Sequence, residues 1–163
     1  MVGCKKSTST IRDYDTVENY ATELEKLCLK CHDDSVTFSF KTKEEGYITE
    51  YDFKYLGSLK VKRDNFKVIQ RTILSGLLPE ALRANVSLRL FLKGKLYGEY
   101  TGFDMLHKIK VVSNTLCLYD SRTKTKAFFK LKDSIPNNLY FPHEENDSDL
   151  IGEMFYFNKY QHR

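Results

Sequence analysis

From Val36 onward the chain is written in a two-residue rhythm, which restricts it to extended strands with one face buried. Val36, Phe38 and Phe40 alternate with polar residues, residues 41–46 mark a turn, and Tyr47, Thr49, Tyr51, Phe53 and Tyr55 resume the alternation. Val86, Leu88, Leu90 and Leu92 then alternate with Ser87, Arg89, Phe91 and Lys93, and Lys93-Gly94 reads as the next turn. Further strands are expected at 96–100, 106–113, 115–120, 125–132, 138–141 and 150–157, with residues 121–124 joining two of them.

Two segments depart from this rhythm. Val17, Tyr20, Ala21, Leu24, Leu27, Cys28 and Cys31 recur at helical spacing. Asp15, with Glu18 three residues on, has the form of a capping box, so a helix is expected at 15–31. A second helix is expected at 64–77, with Phe66, Ile69, Ile73, Leu74 and Leu77 on one face. Gly76 and Pro79 stop it, and Pro79-Glu80-Ala81-Leu82 opens a short turn. The expected fold class is α+β: a curved antiparallel sheet or partly open barrel with two helices, at about 15–31 and 64–77. One globular domain is expected over 13–163, and the Ser/Thr-rich residues 1–12 are expected to be disordered. With 163 residues, 41% hydrophobic, the chain is long enough to build a core.

No apolar run approaches the roughly 20 residues of a membrane-spanning helix. The first ten residues carry lysines without an apolar stretch behind them, unlike a secretory signal. Cytoplasmic or nuclear residence is therefore expected, with Cys4, Cys28, Cys31 and Cys117 as thiols.

Charge is unevenly placed. Residues 51–140 carry 17 Lys or Arg against 7 Asp or Glu, a net +10, whereas the whole chain is +4. Such a middle attracts phosphate groups on peptide, lipid or nucleic acid. Lys60, Lys62, Arg63, Lys67, Lys124 and Lys126 are the candidate anion-binding residues. The plainer account is that strands display lysines on their wet face.

Catalytic and metal chemistry finds little footing. Cys28-Leu29-Lys30-Cys31-His32 matches the haem-attachment pattern, but both cysteines fall on the helix stripe, where small buried residues belong. A structural zinc site needs four ligands, and neither Cys4, Cys117, His107 nor His143 stands at ligand spacing to complete one. His32, His107, His143 and His162 are isolated from any nucleophile–base set, so no enzyme, cofactor or metal is expected. Aromatics interleaved with lysine at 124–130 are shared with RNA-binding sheets.

Several short motifs recur in a meaningful order. Tyr55-Leu56-Gly57-Ser58-Leu59-Lys60-Val61 leads into the expected second helix. Val112-Ser113, Leu116, Leu118, Asp120, Thr123 and Lys124 follow in a hairpin. Asn138-Leu139-Tyr140-Phe141, an acidic run at 144–149 and Met154-Phe155-Tyr156-Phe157 come last. Over residues 53–157 this succession resembles the phosphotyrosine-binding (PTB) family of PH-like domains. The resemblance implies a non-catalytic adaptor or scaffold with a PH/PTB-like barrel. It implies that Asn138, Leu139, Tyr140 and Phe141 bind an extended peptide by strand addition. No phosphotyrosine-reading arginine carries over, because 139–141 contains none. The expected partner is a protein or peptide. The alternatives are a basic RNA-binding module, with RNA or anionic lipid held by the basic middle, and a structural subunit of a larger complex.

Overall fold

The computed structural model describes residues 17–142 and 152–160. The expected disordered segment 1–12, the capping residue Asp15 and the acidic run 144–149 lie outside them. One helix, α1 (Val17–Cys31), precedes ten strands. These are β1 (Thr37–Glu44), β2 (Tyr47–Val61), β3 (Asp64–Gly76), β4 (Arg83–Leu92), β5 (Lys95–Phe103), β6 (His107–Val112), β7 (Thr115–Asp120), β8 (Lys126–Phe129), β9 (Asn138–Pro142) and β10 (Gly152–Lys159). They form two antiparallel sheets, one in the order β1-β2-β3-β4-β5-β10-β9 and the other β6-β7-β8. The α+β class and the antiparallel sheet are as expected; among the described residues the sheet does not close on itself through ladder bonds.

The hairpins follow their turn residues. Glu45-Gly46, Lys93-Gly94 and Ser113-Asn114 each place both central residues at positive φ. That is the two-residue turn whose twist matches the flanking strands. The 41–46 turn thus shrinks to two residues, since β1 pairs with β2 out to Glu44 opposite Tyr47.

The expected helix at 64–77 is a strand. β3 pairs with β2 along its whole length and with β4 from Phe66 to Ser75. Being interior, it is covered on both faces. Phe66 and Val68 enter the core between the sheets, and Ile69 enters the core under α1. Apolar residues on both faces erase the alternation and leave a spacing that a helix also satisfies. The β-branched run Val68, Ile69, Thr72, Ile73 favours the strand. The short turn at 79–82 appears as a single 3-10 turn, Pro79–Ala81.

Gly57 sets the geometry between the two cores. The β2–β3 register shifts there, with Tyr55 opposite Ile69 but Gly57 opposite Val68. One extra residue reverses the facing of everything beyond it. Phe53 and Tyr55 therefore pack under α1, while Leu59 and Val61, of the same parity, pack between the sheets. At φ +127°, Gly57 also passes so close to β6 that a Cβ there would stand 3.2 Å from Val111 Cβ. Beyond it, the Asn114 side chain accepts from the Lys60 N–H and donates to the Lys60 carbonyl at 3.1 Å, continuing the ladder that the two backbones do not make.

α1 lies on the opposite face of the large sheet. Tyr20, Leu24, Cys28 and Leu29 are buried against Phe40, Phe53, Tyr55, Ile69 and Phe91. Leu27, expected in the buried stripe, is 51% exposed. Glu25 occupies the buried side instead, because Arg89 on β4 donates to both of its carboxylate oxygens at 2.6 Å. Lys67 on β3 donates to the Leu29 carbonyl at 3.1 Å and lies 2.7 Å from His32 Nε2, satisfying the end of the helix.

Candidate functional site

The four residues expected to pair with a peptide form most of β9, and β9 is an outermost strand of the large sheet. β10 is its one ladder partner among the described residues. The Phe157 N–H donates to the Asn137 carbonyl at 2.8 Å, directly across the register that pairs Tyr156 with Asn138. In an antiparallel ladder, hydrogen-bonded pairs alternate. Leu139 opposite Phe155 and Phe141 opposite Glu153 are thus the bonded pairs. The backbone groups of Asn138, Tyr140 and Pro142 point the other way, to an edge that no strand pairs among the described residues. Pro142 agrees with this, because a strand tolerates proline where no donor is needed.

Side chains alternate in step with the backbone. Leu139 and Phe141 are buried in the core, whereas Asn138, Tyr140 and Pro142 are exposed. Tyr140 lays its ring on Gly152, where a Cβ would meet ring carbons at 2.6 Å. The edge thus offers two N–H donors, at Asn138 and Tyr140, and carbonyls at Asn138, Tyr140 and Pro142. β8 approaches β9 across the margin between the sheets without joining its ladder.

The six candidate anion-binding residues do not form one site. Lys67 is engaged with α1 on the far face of the large sheet. Lys60 is tied to the β6–β7 turn through Asn114. The Lys62 N–H donates to the Lys132 carbonyl at 2.8 Å, with Arg63 beside it in the β2–β3 turn. Lys124 lies at the other end of the small sheet, in the β7–β8 turn, and Lys126 follows on β8.

A cluster that sequence did not reveal lies at the β7–β8 turn end of the small sheet. His107, Asp104, Asp120, Arg122 and Glu153 meet from the β5–β6 turn, the end of β7 and the start of β10. His107 is 3% exposed. Its Nδ1 accepts the Asp104 N–H at 3.1 Å, and its Nε2 stands 2.9 Å from Glu153 Oε2. Arg122 donates to both Asp120 oxygens, at 3.2 and 3.0 Å, and to Glu153 Oε1 at 3.1 Å. It also lies 3.2 Å from Asp104 Oδ2.

Ligand atoms of His107, Asp120 and Glu153 lie within 4.8 Å of one another, close enough to suit a cation. The guanidinium, however, already takes up oxygens of both carboxylates, so a metal would have to displace it. The arrangement acts as a tie between strands. Only the local Asp120-Ser121-Arg122 step is visible in sequence; Glu153 is brought in by the fold.

Asp120 illustrates the electrostatics. Burial raises its pKa, but hydrogen bonds and charge from Arg122 outweigh this and hold the carboxyl below the usual carboxylate range. A depressed folded pKa means stabilisation that is present above the unfolded value, about 3.9, and is lost as pH falls toward the folded one. Arg122→Ala is expected to lower stability at pH 7, with the gap to the parent closing as pH falls below about 4. Urea titrations across that range check it; a gap independent of pH would show that Arg122 does not act through Asp120.

Cys28 is fully buried beneath α1, where burial pushes its thiol up to about 12. Such a thiol is a packing group, which removes it from the haem-attachment pattern. Among the described residues no helix is long and apolar enough to cross a membrane. Comparison with protein-family models, with curated proteins and with solved structures finds no match to this chain.

Proposed function

We propose that this chain is a non-catalytic protein-interaction domain that takes an extended segment of a partner protein as an added strand beside β9. The observation that carries this is the edge of β9, unpaired among the described residues, where backbone donors at Asn138 and Tyr140 point away from β10. Ladder bonds to these groups supply affinity, and the side chains of Asn138 and Tyr140 supply selectivity. A free edge invites unwanted pairing, and β9 limits it by being five residues long and ending in Pro142.

We read the two sheets as a partly open barrel of the PH/PTB kind, sealed at Gly57 and Val111 and open between β8 and β9. In this barrel the strand β3 stands where the family has a helix. The likeness therefore rests on the later strands rather than on Tyr55–Val61.

A display selection from a random peptide library against the whole chain tests the assignment. Enriched peptides are expected to bind the parent and Tyr140→Thr comparably, and Tyr140→Pro at least tenfold more weakly. Proline removes an edge donor and leaves the β10 bonds in place, so the variant is expected to fold. Equal binding by all three proteins would place recognition elsewhere.

A further inference from the structure

We propose that the outer face of the β6-β7-β8 sheet binds single-stranded nucleic acid, as a second surface separate from the β9 edge. The register aligns the outward side chains of these strands in rows. Lys108, Tyr119 and Lys126 form one row, and Lys110, Cys117 and Phe128 form the next. Val112 and Thr115 follow at the turn. None of these outward positions is acidic. Over residues 107–132 there are seven Lys or Arg against a single acid, Asp120. That acid is buried and bound to Arg122, so it does not offset the lysines.

Two features go beyond the wet face of an ordinary strand. The ammonium groups of Lys108 and Lys126 lie 5.8 and 5.9 Å from the Tyr119 ring, one on each neighbouring strand, so the aromatic holds two cations in place. Phe128 in the next row is 66% exposed, flanked by Cys117 and, one strand further, Lys110. Lysines by themselves serve solubility, but an open phenyl ring among them does not. A sheet face carrying an exposed aromatic between cations is what a sequence-tolerant single strand needs: charge for the phosphates and a ring face for a base. Lys108 and Lys110 stand two residues apart on one strand, about 7 Å. Exposed Lys60, Lys62, Lys130 and Lys132 extend the positive surface past the Asn114 turn. An anionic membrane would also attract these charges, but a patch that enters lipid gathers its apolar residues together. Here Val112 and Phe128 stand on the two outer strands of the sheet, with Thr115 and Cys117 of β7 between them and Lys110, Lys126 and Lys130 beside them.

The test uses the full chain and a labelled oligothymidylate, followed by fluorescence anisotropy from about 50 to 200 mM salt. Vesicles of anionic phospholipid form a parallel arm. The parent is expected to bind the oligonucleotide and not the vesicles. The triple variant Lys108→Ala, Lys110→Ala, Lys126→Ala is expected to bind more than tenfold more weakly and to lose about two from the log–log salt slope. Phe128→Ala is expected to weaken binding severalfold with the slope unchanged, the mark of a lost stacking contact rather than a lost charge. Lys41→Ala on β1 serves as a distant control and is expected to bind as the parent. Should the triple variant fail to fold, the single variant Lys110→Glu carries the same expectation of weaker binding. Absence of oligonucleotide binding, binding indifferent to these changes, or preference for the vesicles would each overturn the assignment.

Discussion

Leu24→Asp is expected to destabilise the domain by more than about 4 kcal/mol, whereas Leu27→Asp is expected to change stability by less than about 1 kcal/mol. The two leucines are three residues apart on α1 and chemically identical, so the contrast isolates position. Leu24 is 6% exposed and sits among Tyr20, Cys28, Phe40 and Phe53. Aspartate there removes the apolar contact and brings a charge into that cluster. Leu27 already faces water, so aspartate adds only a mild clash with the negative end of the helix. Denaturant midpoints of both variants settle the comparison. Equal midpoints would mean that α1 does not pack as described.

Arg89→Ala has an expected effect nearly as large, about 3–5 kcal/mol. Arg89 is the hub of a partly buried network under α1. It holds Glu25 from the helix and lies 3.6 Å from Glu99 on β5. Glu99 is held in turn by Arg71 at 3.1 Å and by the Tyr160 hydroxyl at 2.7 Å. Removing the hub leaves the Glu25 carboxylate buried without its counter-ion. Burial already pushes the Glu25 carboxyl above its ordinary range, with Arg89 and Arg71 pulling it back. Without Arg89 the folded pKa rises further. A raised folded pKa gives stability that is present below the unfolded value and lost as pH rises through the folded one. The deficit of Arg89→Ala should therefore grow as pH rises above the unfolded carboxyl value, about 4.3. Replacing Glu25 and Arg89 together by leucine should recover most of the loss, since an apolar pair fills the site without desolvated charge.

The parts of the fold that were legible in the sequence are those with one wet face. The helix stripe, the hairpin at Lys93-Gly94 and the strand 115–120 all show it, and β7 runs from Thr115 to Asp120 as expected. Interior β3 was misread because packing on both faces removes the two-residue rhythm. Leu27 was misplaced because a helical stripe is wider than the contact it makes, and a salt bridge gave the buried position to Glu25. The bulge at Gly57 hid the division into two cores, since residues of one parity serve both. For the candidate site, sequence marked 138–141 as a strand; that it lies at an edge follows from the order β5-β10-β9. The cluster around His107 joins residues 49 positions apart in the chain, from Asp104 to Glu153, which local pattern does not encode. The outward lysines of His107-Lys108-Ile109-Lys110 were visible as alternation, but their alignment with Tyr119 and Phe128 needed the register.

Amide hydrogen exchange along β9, residue by residue and followed by NMR, tests the open edge most directly. In the free chain the Leu139 and Phe141 amides are expected to exchange slowly, because they bond to β10, while those of Asn138 and Tyr140 exchange fast. Adding a selected peptide is expected to slow Asn138 and Tyr140 and to leave Leu139 and Phe141 as they were. Protection of Asn138 and Tyr140 equal to that of their neighbours before any peptide is added, or no change when it binds, would contradict strand addition at β9.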